Sequence, residues 1–599
     1  MFTDLSRRSA LMMGAAIFAP LPAFAAPEAG QTAAASGPDA AFLTLGQAAL
    51  TEGFRLDPAS ATATGEHRFD SDMPDLSPAG WAARAALNHA LLARLDAIPR
   101  AGLSRANQVD AALLETSLKG DLWANEVNQS WAWDPLIHNG AAGGAFYSLI
   151  AREFGPLPDR LRSATARMEK LPAMLAGTRA ALDPARVPDI HARTYSKQNG
   201  GVDGLIDQIT GMATDLPAAD LSRLTAAAAT AKAAVAEHQA WIDGTLVPNA
   251  KGDFRIGAAR YDAKLAFALN SPMTRAEIKT RATAALNRLT DEMYGLARTA
   301  LDGKAGAPPT PANASGEQKR AAIAAALELA YADRPGRADV LPLANAALAQ
   351  ATAFVAAKGL ITLPTDPVAV IVLPEFQRGV AFAYCDSPGP LDRGQKTFYA
   401  VSPIPEDWTD VQTDSYLREY NTRSVHELTI HEAMPGHYVQ LAHANAYPSV
   451  LRAVLGSGSF VEGWACYAQD VMADAGYYDA DPLYRLVHLK WQLRAIANAI
   501  LDQAIHVDGM SRDEAMAFMV DHTFQQEREA AGKWTRAQLS STQLPTYFVG
   551  WDEHHQLRAE IERREGAAFD LKAYHDKVLS FGSPPVRYAR ALMLDEAIG

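Results

Sequence analysis

The sequence predicts a mainly α-helical protein that carries a small β-sheet beside a deep cleft. Alanine is dense in 224–241 and 320–331, which gives these stretches very high helix propensity. Three further segments with helical apolar periodicity open with the spacing of a capping box: Thr274-x-x-Glu277, Ser315-x-x-Gln318 and Ser511-x-x-Glu514. Aromatic residues make up only 8% of the chain, which favours helices over a β-sandwich.

The first 25 residues have the pattern of a signal peptide. Arg7 and Arg8 precede an apolar run that reaches Pro20, and the small-x-small cleavage pattern Ala-Phe-Ala ends at Ala25. The adjacent arginines favour the twin-arginine route, although an ordinary secretory signal can also contain such a pair. We therefore predict that the mature protein is periplasmic or secreted.

Residues 26–39 are rich in alanine, glycine and serine and are predicted to form a flexible leader. No cysteine stands directly after the cleavage site, and no later apolar run approaches the ~20 residues that cross a bilayer. We therefore expect no stable membrane anchor. The formal charge of -13 also argues against nucleic acid as a partner, because phosphate binding requires a basic surface.

Two regions follow the leader: 40–365 is predicted to be helical throughout, and 366–599 to contain the functional site. We expect them to pack together as one unit that forms the cleft. Short β-branched or apolar runs predict three strands at the start of the second region, over 367–373, 380–384 and 397–401. This sheet either offers an edge to which a peptide can add its backbone, or only packs under the helices.

The most informative segment is His431-Glu432-Ala433-Met434-Pro435-Gly436-His437. Two neutral imidazoles can bind a zinc ion, and a glutamate directly after the first can accept a proton from metal-bound water. The second histidine comes six residues after the first instead of the four of His-Glu-x-x-His. An undistorted helix would place the two rings on different faces. The Pro-Gly pair is therefore predicted to distort the helix so that both rings reach one ion.

A competing reading places the site upstream. His426, Glu427 and His431 form His-Glu-x-x-x-His, an arrangement that could also bind a metal ion. For the third ligand, Glu462 lies 25 residues after His437, on a segment predicted to be a buried helix. A buried carboxylate is costly unless it is paired or binds a cation. Glu462 is therefore either a ligand or the partner of a lysine or a backbone amide.

Several motifs together resemble a bacterial family known as domain of unknown function 885, which is similar to the gluzincin metallopeptidases. The motifs are His-Glu-x-x-Pro-Gly-His-Tyr-x-Gln from His431, Phe460-Val461-Glu462-Gly463-Trp464-Ala465, 383–391 with its Ser-Pro-Gly-Pro, Asp502-x-x-x-His506, Pro545-x-Tyr547 and Gly582-Ser583-Pro584-Pro585. The resemblance implies a large multi-helix gluzincin-like fold. It also implies one Zn²⁺ ion on His431, His437 and Glu462, with Glu432 as general base.

Other residues are candidates for supporting roles. The Tyr547 hydroxyl could donate to the anionic intermediate. His506 could contact the substrate or the oxyanion with Asp502 as its orienting neighbour, or the two could form a local pair. Arg494 could hold a substrate carboxylate. Asp470 could orient a ligand histidine.

Cys385 and Cys466 could form a disulfide in an oxidising compartment or remain buried thiols. The expected function is an exported zinc-dependent peptidase that cleaves short peptides with metal-activated water. Two alternatives stay open: a metal-dependent hydrolase of another amide or ester, and a metal-containing protein that binds without turnover. The presence of Glu432 argues against the second alternative, because a non-catalytic site needs no base.

Overall fold

The computed structural model describes residues 37–373, 382–392 and 394–598. The predicted signal peptide and residues 26–36 of the predicted leader lie outside these ranges. Residues 38 and 39 of the predicted leader belong to the first helix, which begins at Pro38. Proline is well suited to this first helical position, since its missing N–H would have no partner there.

Helices follow one another through the first region, as predicted. Their bounds are α1 Pro38–Leu56, α2 Pro58–Thr64, α3 Pro78–Asp96, α4 Arg105–Leu122, α5 Ser130–Trp133, α6 Pro135–Ile150, α7 Leu157–Ala181, α8 Asp189–Asn199, α9 Gly201–Gly211, α10 Ala218–Trp241, α11 Val247–Asn249, α12 Gly257–Leu269, α13 Arg275–Leu301, α14 Gly316–Tyr331 and α15 Val340–Lys358.

The second region opens with three strands and continues with helices. The strands are β1 Val368–Val372, β2 Ala383–Asp386 and β3 Thr397–Val401. The helices are α16 Asp410–Glu419, α17 Thr422–Glu432, α18 His437–Asn445, α19 Val450–Val454, α20 Gly458–Asp474, α21 Pro482–His506, α22 Arg512–Ala517, α23 Glu527–Leu539, α24 Pro545–Glu565, α25 Leu571–Leu579 and α26 Val586–Leu594.

All three predicted capping boxes are present, at the starts of α13, α14 and α22. In each, the Ser or Thr hydroxyl accepts from the backbone N–H three residues later. The Glu or Gln side chain at that position accepts in return from the backbone of the capping residue. These contacts satisfy N–H groups that a helix start leaves without partners.

The three strands form one sheet in the order β1-β3-β2. β1 is parallel to β3, with Val368 opposite Thr397, and β2 is antiparallel to β3, with Cys385 opposite Tyr399. The predictions for β1 and β3 are confirmed. The second strand spans 383–386, whereas 380–384 was predicted, and residues 380–381 lie outside the described ranges. In the part of the chain that the structure describes, β2 is therefore an edge strand of this sheet.

The largest hydrophobic core joins the sheet to α13–α15, α17, α20, α21 and α24. It contains residues from both predicted regions, among them Ile323, Tyr399, Trp464 and Val549. A second core lies among α6, α7, α9 and α10. The candidate ligands therefore come from helices of the largest core.

Within the described ranges, α15 has the length and apolar composition of a membrane span. This differs from the expectation that no apolar run after the signal approaches that length. One face of the helix is buried in the protein, at Val340, Ala344, Ala347, Ala351 and Val355. Residues spaced in this way form a single helical stripe, which is how an amphipathic core helix packs.

Candidate metal centre

The helix that carries the first histidine breaks where Pro435-Gly436 predicted a distortion. α17 ends at Glu432, Ala433 has φ -130° and ψ -69°, and α18 begins at His437. A side chain at Gly436 is excluded, because its Cβ would lie 2.0 Å from the backbone oxygen of His431. The Trp464 indole donates to the backbone oxygen of Pro435 at 3.0 Å, which ties the break to α20.

A close contact between two helices places Glu462 opposite α24. Gly463 and Gly550 face each other so closely that a Cβ on Gly463 would lie 2.3 Å from the Gly550 carbonyl carbon. A Cβ on Gly550 would lie 1.8 Å from the Ser459 oxygen. The two glycines therefore allow α20 and α24 to approach at backbone distance, which positions the neighbouring Glu462 and Tyr547.

The three predicted ligands come together at this point. Glu462 Oε2 lies 3.5 Å from His431 Nε2 and 3.4 Å from His437 Nε2. The three donor atoms lie within 4.8 Å of one another, and no other group of three potential ligands is found in the described ranges. The two imidazole rings are nearly perpendicular, with centroids 4.7 Å apart.

This donor set fits a zinc ion. Donors held at ~2.0–2.1 Å by a tetrahedral zinc ion lie about 3.3–3.4 Å from one another, close to both nitrogen–oxygen separations. Glu462 Oε2 is buried and makes no hydrogen bond of acceptable geometry with either ring. A buried carboxylate oxygen without a partner is costly, and a cation between the three donors would remove that cost. Two imidazoles and one carboxylate are also a ligand set of catalytic zinc sites.

The electrostatics of the cluster favour a charged carboxylate. Burial alone would raise the pKa of Glu462, but the His431 and His437 rings outweigh it and hold this pKa below its usual range. Glu432 behaves differently, because burial raises its pKa to about 7. His431 acts against this rise, whereas the Glu462 charge adds to it. The two carboxyl groups of the site are therefore in distinct environments.

Glu432 lies at the border between α17 and the sheet edge. The backbone N–H of Cys385 on β2 donates to its carboxylate. The edge strand therefore runs beside the candidate general base.

A buried polar chain extends from His431 away from the cluster. His431 Nδ1 lies 3.4 Å from Gln469 Oε1, and Gln469 Nε2 donates to the Glu427 carboxylate at 2.9 Å. Because a carboxylate oxygen accepts, the Gln469 amide must turn its oxygen to His431. With a cation bound at the cluster, this contact would keep the His431 proton on Nδ1 and leave the Nε2 lone pair to bind the ion. No sequence pattern had pointed to the contact between His431 and Gln469.

This series of polar contacts continues from Glu427 to a second cluster of buried polar side chains. Glu427 Oε2 lies 3.2 Å from His488 Nδ1, and Asp470 Oδ1 lies 2.8 Å from His488 Nε2. Asp470 also accepts from Trp551 and His555. It was predicted to orient a ligand histidine directly, but its partners belong to this second cluster.

The upstream reading receives no support from the geometry. The His426 ring bonds the Tyr477 hydroxyl at 2.8 Å through Nδ1 and lies edge-on to Tyr478. Glu427, its neighbour, bonds Gln469 and His488. Neither residue belongs to the three-donor cluster.

Tyr547 lies beside the cluster, as predicted. Its ring stacks on His431 with 6.2 Å between centroids and 17° between planes. Burial and the Glu462 charge raise the pKa of Tyr547 to about 12, so its hydroxyl stays protonated near neutral pH. The hydroxyl accepts a hydrogen bond from Arg536 at 3.1 Å. Sequence reasoning did not identify Arg536.

His506 makes its contacts away from the three candidate ligands. Its Nε2 bonds the backbone oxygens of Ala537 and Ser540, both at 2.8 Å, and its ring stacks on Tyr261. Asp502 accepts from the Tyr261 hydroxyl at 2.6 Å. Among the described contacts, none joins His506 to the three candidate ligands. The structure thus places the Asp502 and His506 pair in a local network at the end of α21.

Arg494 is paired with carboxylates of the protein, and the two cysteines do not form a disulfide. Arg494 forms ion pairs with Glu419 at 3.2 Å and Glu529 at 2.6 Å. Its guanidinium is therefore already neutralised within the protein. Cys385 and Cys466 are free thiols.

Two of the solved structures that resemble this protein match nearly all of its chain. One is described as "a putative lipoprotein of unknown function from Shewanella oneidensis"; it is 34% identical, has a TM-score of 0.77, and the match covers 92% of this chain and 99% of that chain. The other is described as "the putative lipoprotein from Colwellia psychrerythraea"; it is 18% identical, has a TM-score of 0.75, and the match covers 94% of this chain and 100% of that chain. The second likeness concerns the fold alone.

The comparison with curated proteins finds no match. A family profile described as "Bacterial protein of unknown function (DUF885)" matches residues 58–593. This range contains all three candidate ligands, Glu432 and Tyr547. Because the match spans most of the chain, the protein belongs to the bacterial DUF885 family.

Proposed function

We propose that this protein is an exported zinc-dependent hydrolase that cleaves short peptides. The observation that carries the proposal is the buried Glu462 Oε2, which has no hydrogen-bond partner among the described residues and faces the Nε2 atoms of His431 and His437. Two histidines beside a helix break and a glutamate from a later helix also match the gluzincin arrangement that the sequence resembles. His431, His437 and Glu462 would hold the ion.

When bound, zinc would polarise the scissile carbonyl and lower the pKa of a water molecule toward ~7. Glu432 directly follows a ligand but is not one of the three donors. It would accept the proton of the attacking water as the new carbon–oxygen bond forms. The same carboxyl group would then pass that proton to the leaving nitrogen as the carbon–nitrogen bond breaks.

Tyr547 would stabilise the negative charge that develops on the carbonyl oxygen. Its ring is held between His431 and Arg536, and its hydroxyl accepts from the Arg536 guanidinium. The hydroxyl hydrogen is therefore left to donate to the substrate. His506, the other sequence candidate for this role, makes its bonds to backbone oxygens instead.

The edge strand favours peptides over other amides and esters. Among the described residues, β2 pairs only with β3, and the N–H of Cys385 reaches Glu432 on its other side. A peptide in an extended conformation could add its backbone to this edge, next to the candidate base. A simple ester has no such backbone hydrogen bonds to contribute.

A digest of mixed peptides tests the proposal. Purified protein supplied with zinc should cleave short peptides in a mass-spectrometric assay, and a chelator should stop cleavage until zinc is returned. Simple esters and amidated small molecules should react much more slowly. Turnover of esters without peptide cleavage would identify a different hydrolase, and zinc binding without any turnover would identify a binding protein.

We also propose export through the signal in residues 1–25. The two similar solved proteins are described as lipoproteins, whereas the only cysteines of this chain are Cys385 and Cys466, far from the predicted cleavage site. We therefore expect a mature protein without a lipid anchor. Replacing Arg7 and Arg8 by lysine should block export by the twin-arginine route. Normal periplasmic amounts of this variant, measured by cell fractionation, would contradict that route.

A further inference from the structure

The wall beside Tyr547 that α21 and α23 form carries four basic residues, Lys490, Arg494, Lys533 and Arg536. The two basic residues on α21 form ion pairs with the two nearby carboxylates. Lys490 and Arg494 pair with Glu419, and Arg494 also pairs with Glu529. The next two cations, on α23, receive no carboxylate within ion-pair distance among the described residues. These are Lys533 and Arg536, which are three residues apart and so share one face of the helix.

The hydrogen-bond partners of Arg536 among the described residues are neutral, and the Glu462 and Glu529 charges act on it only from a longer distance. One terminal nitrogen, Nη2, donates to Gln543 Oε1 at 2.9 Å and to the Tyr547 hydroxyl at 3.1 Å. In the described part of the chain, Nε and Nη1 make no hydrogen bond, and neither is a buried unsatisfied atom. Arg536 is only part-buried. The guanidinium thus presents free donors to solvent, in the planar arrangement that binds a carboxylate.

Lys533 is held deeper in the same wall. Its ammonium group donates to Asn498 Oδ1 at 2.8 Å, and the residue is buried. Burial, with Arg494 and Arg536 nearby, lowers the pKa of Lys533 to about 7. An anion bound beside Arg536 would favour the charged form of Lys533.

Arg536 is close enough to the metal cluster to contact a bound substrate. Its guanidinium carbon lies 5.9 Å from the centre of the Tyr547 ring, and that ring centre lies 6.2 Å from the centre of the His431 ring. Because an extended residue spans ~3.3–3.6 Å, a group on Arg536 would be within about four residues of the scissile bond.

We propose that Arg536 binds a carboxylate of the peptide substrate, most simply the free carboxyl end. This inference rests on the proposed function and deepens it, because it makes the enzyme one that releases a C-terminal residue or very short C-terminal peptide. An acidic side chain near the scissile bond would offer the same chemistry. The role that the sequence suggested for Arg494 thereby passes to Arg536.

Three matched peptides test this inference: a free acid, its C-terminal amide, and an amide whose last residue is glutamate. The wild-type protein should cleave the free acid with a kcat/KM about 10- to 100-fold higher than the plain amide, the range typical of a hydrogen bond to a charged group. Arg536→Gln should abolish this preference. Because acid and amide are compared within one variant, any displacement of Tyr547 affects both and cancels.

Arg528→Gln provides the control. Arg528 lies on the same helix but is exposed, with its guanidinium 4.5 Å from the centre of the Trp408 ring. This variant should keep the wild-type preference. If the glutamate amide replaces the free acid as the preferred substrate and Arg536→Gln removes that preference, the carboxylate comes from a side chain.

Cleavage of all three peptides at equal rates, or a preference that survives Arg536→Gln, would overturn the inference and leave the proposed function intact. If no peptide is cleaved, the proposed function fails, and calorimetric binding of the acid and the amide decides the carboxylate site separately. Tighter binding of the acid that is lost in Arg536→Gln supports it. Equal binding of the two peptides contradicts it.

Discussion

Replacing Glu432 with glutamine should leave zinc bound while slowing peptide hydrolysis by about 10²- to 10⁴-fold. Glutamine keeps the size of the side chain and can still contact the Cys385 backbone, but it cannot accept the proton of the attacking water. Glu432 is not one of the three donors, so metal content measured by mass spectrometry should stay at one ion per chain. Glu462→Gln should behave differently, with loss of both metal and activity.

A matched control is available on α24. Burial raises the pKa of Glu553 to about 7, as it does for Glu432, but Glu553 bonds Ser271 and is not a donor of the cluster. Glu553→Gln should therefore retain nearly wild-type turnover. Hydrolysis near the wild-type rate in Glu432→Gln with zinc bound would show that water activation by this residue is wrong.

The parts of the fold that the sequence predicted well depend on local chemistry. The capping boxes at Thr274, Ser315 and Ser511 form because their partners are three residues away in the chain. β3 has the predicted bounds because a short β-branched and aromatic run between turn residues suits a strand. The helix break before His437 likewise follows from proline and glycine in adjacent positions.

The parts that sequence reasoning missed depend on which helices meet. Nothing in the neighbourhood of Gly550 shows that its partner is Gly463, almost 90 residues earlier. Similarly, Gln469 and Glu427 appear as ordinary polar residues of two helices until α17 and α20 bring them together behind His431.

The surroundings of Arg494 and Arg536 likewise depend on which helices meet. Arg494 and Arg536 are both on helices, and the sequence offers no reason to prefer either as a carboxylate-binding residue. The structure separates them, because Arg494 is paired with two glutamates and Arg536 with a tyrosine and a glutamine. His506 was a candidate on its spacing from Asp502, yet α21 directs its ring to the end of α23.

The proposed metal site depends above all on His437 as a ligand. His437 and His426 are both buried, with 8% and 4% of their surface exposed, so alanine removes a similar ring from each position. Only His437 faces Glu462, at 3.4 Å, whereas His426 bonds Tyr477. His437→Ala removes one of three protein ligands and should therefore release the metal. His426→Ala should leave the metal bound, because it removes only a hydrogen bond and some packing.

The most direct test is the zinc content of the two folded variants after dialysis, measured by mass spectrometry alongside the wild-type protein. Thermal unfolding of each sample should confirm that both variants are folded. We expect one zinc ion per chain in the wild-type protein and in His426→Ala, and almost none in His437→Ala. Zinc retained in His437→Ala and lost from His426→Ala would contradict the assignment and support the upstream His-Glu-x-x-x-His site.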